Sequence, residues 1–240
     1  MQEAISKDRL ALDCVRTESD AWSPERLRRL IDRPLRNPVL GMIEERRREL
    51  AAMAPMALHP SYAGVNPNAG QPFVTPKAIS LPRRYGRLLY SIAADLRPRH
   101  VLEAGAGLGI SGMYLAAAVA LTKTGRFMSF EIADYQTIAL DSIRRVLPAA
   151  EVHRDDFINF HRYVAPTTRV DLCFLDSKHD VGTVIRDYNC LLGWMAPKGV
   201  MMIDDISSTA ESRAAWERIL DRRDFGFAAS VQGRIGFLAR

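Results

Sequence analysis

From His100 onward, short apolar runs alternate with stretches of helical periodicity, and this alternation restricts the fold more than any other feature. Strands are predicted at residues 100–104, 126–132, 150–154, 170–176, 199–204, 225–231 and 234–239. Helical segments at 110–121, 134–146, 157–164, 181–195 and 209–222 separate the first six. Strands joined through helices pair in parallel, and both faces of such a sheet are covered. The last two strands meet at Gln232-Gly233 with no helix between them, which predicts an antiparallel hairpin. The expected fold class is α/β: a doubly wound seven-stranded sheet, mostly parallel, with a C-terminal antiparallel hairpin and an N-terminal helical extension. The sheet domain is expected over residues 76–240, and the extension over 1–75, as a lid or a dimer contact.

Composition narrows the surroundings. The 240 residues are 48% hydrophobic and 25% charged, as in ordinary globular domains. No run approaches the roughly 20 apolar residues of a membrane span. Residues 1–8 lack the apolar core of a secretion signal. Cys14, Cys173 and Cys190 are odd in number and widely spaced, which suits reduced thiols in a cytoplasmic protein. The net charge of +5 comes from the first hundred residues, with 17 Lys+Arg against 11 Asp+Glu. Arg26, Arg28, Arg29, Arg33, Arg36 and Arg46–Arg48 carry it, but Glu44, Glu45 and Glu49 interleave as on a helix face with local ion pairs. The remainder is slightly acidic, which disfavours a polyanionic substrate. Ser23-Pro24 opens a predicted helix, a second is predicted over 38–53, and a third over 76–96. The Pro-, Gly- and Asn-rich loop between the last two holds Tyr62, Asn66, Asn68, Gln71 and Phe73, candidates for a lid or for an ordered surface connection.

In parallel α/β sheets, ligands bind beyond the carboxyl ends of the strands. The first predicted strand runs into Glu103-Ala-Gly105-Ala106-Gly107-Leu-Gly109, and Ser111 opens the following helix. Glycine allows a tight turn and close approach of a ligand to the backbone. A dinucleotide fingerprint would need Gly or Ala at 110, where Ile stands. An acid at Glu103 also suits a ligand with a cationic amino group better than a pyrophosphate. Glu131 ends the second strand, where a carboxylate accepts ribose hydroxyls. Asp155, Asp156 and Phe157 follow the third, an acid for an adenine amino group and a ring to pack on the base. Asp176 ends the fourth, with Lys178 and His179 close behind, and Asp204-Asp205 ends the fifth. A single acid at such a place is commonly a helix cap; polar ends on five successive strands point to a nucleoside-type cofactor.

The run E-x-G-x-G-x-G resembles the first motif of class I S-adenosylmethionine-dependent methyltransferases, whose domain is Rossmann-like. Phe174-Leu-Asp-Ser-Lys-His-Asp180, Leu191–Gly199 and Val200-Met-Met-Ile-Asp-Asp205 resemble the metal-dependent small-molecule O-methyltransferases related to the catechol and caffeoyl-CoA enzymes. The resemblance covers roughly residues 75–240. It implies S-adenosylmethionine as cofactor, held by Glu103, Gly105, Ala106, Gly107, Gly109, Ser111, Glu131, Asp155, Asp156, Phe157 and Asp176. It also implies Mg²⁺ or another divalent cation on Asp176, Asp204 and Asp205, hard oxygen donors as that ion prefers. The family's base is often a Lys three residues after the strand-four Asp. Here that position is His179, as in related sugar-modifying enzymes, with Lys178 beside it. The implied acceptor is a small hydroxylated molecule, vicinal oxygens chelating the ion, and a homodimer is the expected assembly.

Other readings remain at this point. The three acids could be structural in a metal-independent methyltransferase, or the fold could persist in a non-catalytic protein. A nucleic-acid methyltransferase is disfavoured, because Asp176-Ser-Lys-His replaces an N-P-P-Y motif and no Cys follows the fourth strand. A nicotinamide-dependent reductase is disfavoured by Ile110 and by the lack of a Tyr-x-x-x-Lys pair.

Overall fold

The structure is a computed structural model in which residues 9–60 and 72–240 are described. Tyr62, Asn66, Asn68 and Gln71 lie outside them. The N-terminal part comprises β1 (Leu12–Thr17), α1 (Pro24–Asp32), α2 (Val39–Ala51), a ribbon of β2 (Met56–Ala57) and β3 (Phe73–Val74), and α3 (Arg83–Leu96). Then follow β4 (His100–Ala104), α4 (Ile110–Val119), β5 (Arg126–Phe130), α5 (Gln136–Arg144) and β6 (Glu151–His153). A 3₁₀ helix (Phe157–Arg162) leads to β7 (Val170–Leu175), α6 (Val181–Leu192), β8 (Met195–Ile203), α7 (Ala210–Arg222), β9 (Phe227–Val231) and β10 (Ile235–Ala239).

The large sheet has the order β1-β9-β10-β8-β7-β4-β5-β6, eight strands rather than the expected seven. Strands β6, β5, β4, β7 and β8 run parallel, and β10 inserts antiparallel between β8 and β9. The additional strand is β1, antiparallel to β9 at the sheet edge. Strand β8 also begins earlier than predicted, at Met195, because α6 ends at Leu192 and Met195 pairs with Val170. The third helix is shorter than predicted: it starts at Arg83, after Pro82, since residues before proline are disfavoured in helix.

Side chains alternate between two apolar clusters, one per face. Val101, Leu172 and Phe174 join the α1–α5 side, while Leu102, Cys173 and Leu175 join the α6–α7 side. Helix α4 is buried along its whole length beneath α3 and α5. The arginine run on α2 is consumed locally: Arg46 pairs with Glu49 at 2.9 Å and with Asp141 of α5 at 2.7 Å, and Arg47 pairs with Glu44 at 3.2 Å. Chain order reverses at β4, whose neighbours are β5 and β7, so the crevice at their carboxyl ends is the switch point where ligands bind in such sheets.

Candidate functional site

Backbone hydrogen bonds continue past the strands and set their ends side by side. Gly105 and Ala106 N–H donate to the Phe130 carbonyl at 2.9 and 3.1 Å, and Asp176 N–H donates to Ala104 at 2.8 Å. Asp204 N–H donates to Leu175 at 2.9 Å. A cavity of about 340 Å³ opens above these ends. Of the residues expected from sequence, Gly105, Ala106, Gly107, Ser111, Glu131, Asp176, His179, Asp204 and Asp205 line it.

Gly105 is required where it stands. Its φ is +84°, and a Cβ would lie 2.0 Å from the Asp176 carbonyl oxygen. This close passage lets the loop after β4 cross the end of β7. Glu131 sits beneath the same loop, accepting from Gly107 N–H at 2.7 Å and from Ala133 N–H at 2.8 Å. Burial raises its carboxyl above the usual range, against the pull of those two N–H groups.

Glu103 departs from expectation. It is fully buried inside β4, does not line the cavity, and accepts from the Ser129 hydroxyl at 2.6 Å, while its other oxygen has no hydrogen-bond partner among the described residues. Residue 103 is the fourth of a five-residue strand, so its side chain lies under the sheet surface rather than at its rim. Asp155, Asp156 and Phe157 also stand away from the cavity. Asp155 accepts from Asn159 and Tyr163, each at 2.8 Å. Asp156 caps the 3₁₀ helix and holds Arg186 at 2.8 and 2.9 Å. Phe157 packs edge-on against Phe130 in the core. These three serve the turn that leaves β6. Gly109 is the left-handed first turn of α4 and is buried against α5, also outside the cavity. Lys178 pairs at 3.1 Å with Asp180, the N-cap of α6, so of the two base candidates only His179 reaches the cavity.

His179 is 27% exposed, with Nε2 3.3 Å from Asp176 Oδ1 and Nδ1 3.9 Å from Asp205 Oδ2. Burial opposes its charge, but Asp176, Asp205 and Asp204 outweigh burial and raise its pKa. Asp176 is itself raised, first by burial and then by the Asp204 charge. Asp205 adopts φ +52°, a left-handed conformation uncommon outside glycine that turns the chain out of β8.

Arg234, the first residue of the last predicted strand, is the cation of this cluster. It grips Asp204 with two bonds, Nε to Oδ1 at 2.8 Å and Nη2 to Oδ2 at 2.7 Å. Its Nε also lies 3.3 Å from Asp205 Oδ1. Asp204 is thus engaged on both oxygens while only 1% exposed. Among the described residues, no group of three or more His, Cys, Asp or Glu is placed to hold a metal ion. The set Asp176, Asp204 and Asp205 therefore does not fit a divalent cation in this arrangement.

The cavity has a second wall that the strand ends do not supply. Leu58, Val74 and residues 77–82 form it, and the Tyr135 hydroxyl ties it down by donating to the Ala57 carbonyl. Phe73, the described member of the expected lid, is exposed on β3.

Strand order and the reversed β10 are those of a Rossmann-like methyltransferase fold. Residues 102–206, a little under half of the chain, match the model of the family described as Methyltransferase domain. No curated protein matches the chain. Among solved structures, the fold is similar to the O-methyltransferase TomG from Streptomyces achromogenes, involved in tomaymycin synthesis and solved with S-adenosylmethionine. That likeness is at 16% identity and TM-score 0.57, covering 93% of this chain and 99% of that one. It is similar to an O-methyltransferase from Bacillus cereus with bound S-adenosylhomocysteine, at 16% identity and TM-score 0.56, over 91% and 98% of the two chains. A methyltransferase from Geobacter sulfurreducens is similar at 19% identity and TM-score 0.55, over 91% and 98%.

Proposed function

We propose that the protein transfers the methyl group of S-adenosylmethionine to a hydroxyl oxygen of a small molecule. The observation that carries this reading is the single cleft in which Glu131 and the Gly105–Gly107 loop face His179, Asp176 and Asp205. Glu131 accepts from the ribose hydroxyls, its geometry held by the Gly107 and Ala133 N–H groups. The sulfonium methyl is already electrophilic, so the protein's task is to align the acceptor oxygen with the S–CH₃ bond and take its proton. The new O–CH₃ bond forms as the S–CH₃ bond breaks, its electron pair staying on sulfur. The hydroxyl proton passes to the His179 ring, which Asp176 orients. The segment up to residue 75 supplies acceptor-side wall through Leu58 and Val74. A cavity of this size admits a small acceptor and is within the range of roughly 300–1,000 Å³ typical of small-molecule sites.

The test is calorimetric titration with S-adenosylhomocysteine, followed by turnover on a panel of hydroxylated acceptors. His179→Ala is expected to retain the affinity and lose about 10²–10⁴-fold in turnover, the range for removal of a general base. Folded protein that binds no S-adenosylhomocysteine would overturn the reading.

A further inference from the structure

We infer that Arg234 takes the place of the divalent ion, so that the acid cluster at the ends of β7 and β8 is closed by a built-in cation. The inference starts from Asp204, whose side chain is almost wholly buried and whose carboxylate lies against the Arg234 guanidinium. The guanidinium satisfies both of its oxygens in a parallel two-bond geometry, the strongest form of such a pair, and extends its Nε to Asp205. A metal on Asp204 would have to share an oxygen with Arg234 or displace it. It would also place two positive charges against a third.

Arg234 is not free to swing away. Its N–H donates to the Val231 carbonyl at 3.1 Å, its carbonyl accepts from Ile206 N–H at 3.0 Å, and its guanidinium lies 5.0 Å from the Tyr85 ring centre. It is fixed by the hairpin turn, by the segment after β8 and by α3. The remaining acid, Asp176, has His179 Nε2 3.3 Å from its Oδ1. Each carboxylate of the cluster thus has a partner from the chain itself.

This deepens the proposed function at the same site. Arg234 is a positioning residue: it holds Asp205, whose other oxygen faces Nδ1 of His179. The acceptor then needs one hydroxyl delivered to His179, with no requirement for two adjacent oxygens that chelate an ion.

The decisive experiment is a Mn²⁺ titration followed by electron paramagnetic resonance, on the full chain loaded with S-adenosylhomocysteine. The wild-type protein is expected to leave the free-ion signal unchanged up to millimolar Mn²⁺. Arg234→Ala, with its fold checked by circular dichroism, is expected to gain Mn²⁺ affinity by about tenfold or more, since a unit charge a few Å from the ion has been removed. Arg234→Lys keeps the charge and is expected to follow the wild type. One Mn²⁺ bound per wild-type chain at micromolar concentration would overturn the inference, as would a folded Arg234→Ala that gains no affinity. If Arg234→Ala does not fold, the wild-type titration decides alone. The same samples report S-adenosylhomocysteine binding by calorimetry, so failure of the cofactor reading is seen separately from failure of the Arg234 assignment.

Discussion

Glu103 offers the sharpest test of the buried electrostatics, through Glu103→Gln. Its carboxyl is raised from 4.5 to about 7, chiefly by burial, against the hydroxyls of Ser111 and Ser129. The folded protein therefore binds this proton more tightly than the unfolded chain does. The stability contribution is full below about pH 4.5, falls as pH rises through the window from 4.5 to 7, and is level above it. At about 1.4 kcal/mol per pH unit, the ionised carboxylate costs the fold about 3 kcal/mol at pH 8. Glutamine removes that cost, but its amide brings a donor to a place where one carboxylate oxygen already lacks a partner, a penalty of about 1–2 kcal/mol. The amide penalty is the same at every pH, so the informative quantity is the difference between pH 5 and pH 8. Urea unfolding at both is expected to show the variant gaining about 2–3 kcal/mol on the wild type over that interval, an order of 1 M in midpoint. A stability difference equal at the two pH values would refute the reasoning. Affinity for S-adenosylhomocysteine is expected to change less than about threefold, because the side chain does not line the cavity. A much larger loss would return Glu103 to the cofactor.

The glycine loop makes a paired prediction. Gly105→Ala meets the Asp176 carbonyl and is expected to cost more than about 3 kcal/mol, whereas Gly107→Ala, at φ +50° with its nearest neighbour 3.5 Å away, is expected to cost about 1 kcal/mol in thermal or urea unfolding. Equal losses would contradict the close passage of the loop over β7. Asp187 is fully buried, accepting from Ser177 at 2.9 Å and from Arg186 at 3.0 Å. Asp187→Ala is expected to lower stability by about 3 kcal/mol by urea unfolding, and a loss below about 1 kcal/mol would show that Asp156 alone satisfies Arg186.

The inner parallel strands β4, β5, β7 and β8 were legible because they are largely buried on both faces and so read as mainly apolar runs leading into an acid or glycine. Strand β1 was not, for a physical reason. Its inward positions are Leu12, Cys14 and Arg16, and the arginine earns its place by donating to the Phe225 and Leu220 carbonyls rather than by apolar burial. Written as a sequence, that alternation looks like a polar loop. The residues after β6 pose the opposite problem. Asp155-Asp156-Phe157 has the composition of a base-binding edge, yet its two carboxylates are spent on Asn159, Tyr163 and Arg186. Composition at a strand end cannot tell a ligand contact from a turn that satisfies its own polar groups.

Arg234 was hidden by a rule that the sequence itself contained the means to extend. Listing the carboxyl ends of strands finds ligand-facing residues only where strands run parallel. The hairpin at Gln232-Gly233 is antiparallel, as its sequence predicts, and an antiparallel strand beside β8 enters the sheet at the edge where β8 leaves it. The register places Gly236 opposite Ile203, so the residue two positions earlier lies beside Asp204 and Asp205. The start of such a strand therefore belongs with the parallel strands' ends. An arginine there, facing two consecutive acids on its neighbour, was a charge pair that topology alone could have closed. The consequence for the chemistry is specific: two of the acids for which the family resemblance implied a metal, Asp204 and Asp205, are paired by an arginine thirty residues later in the chain.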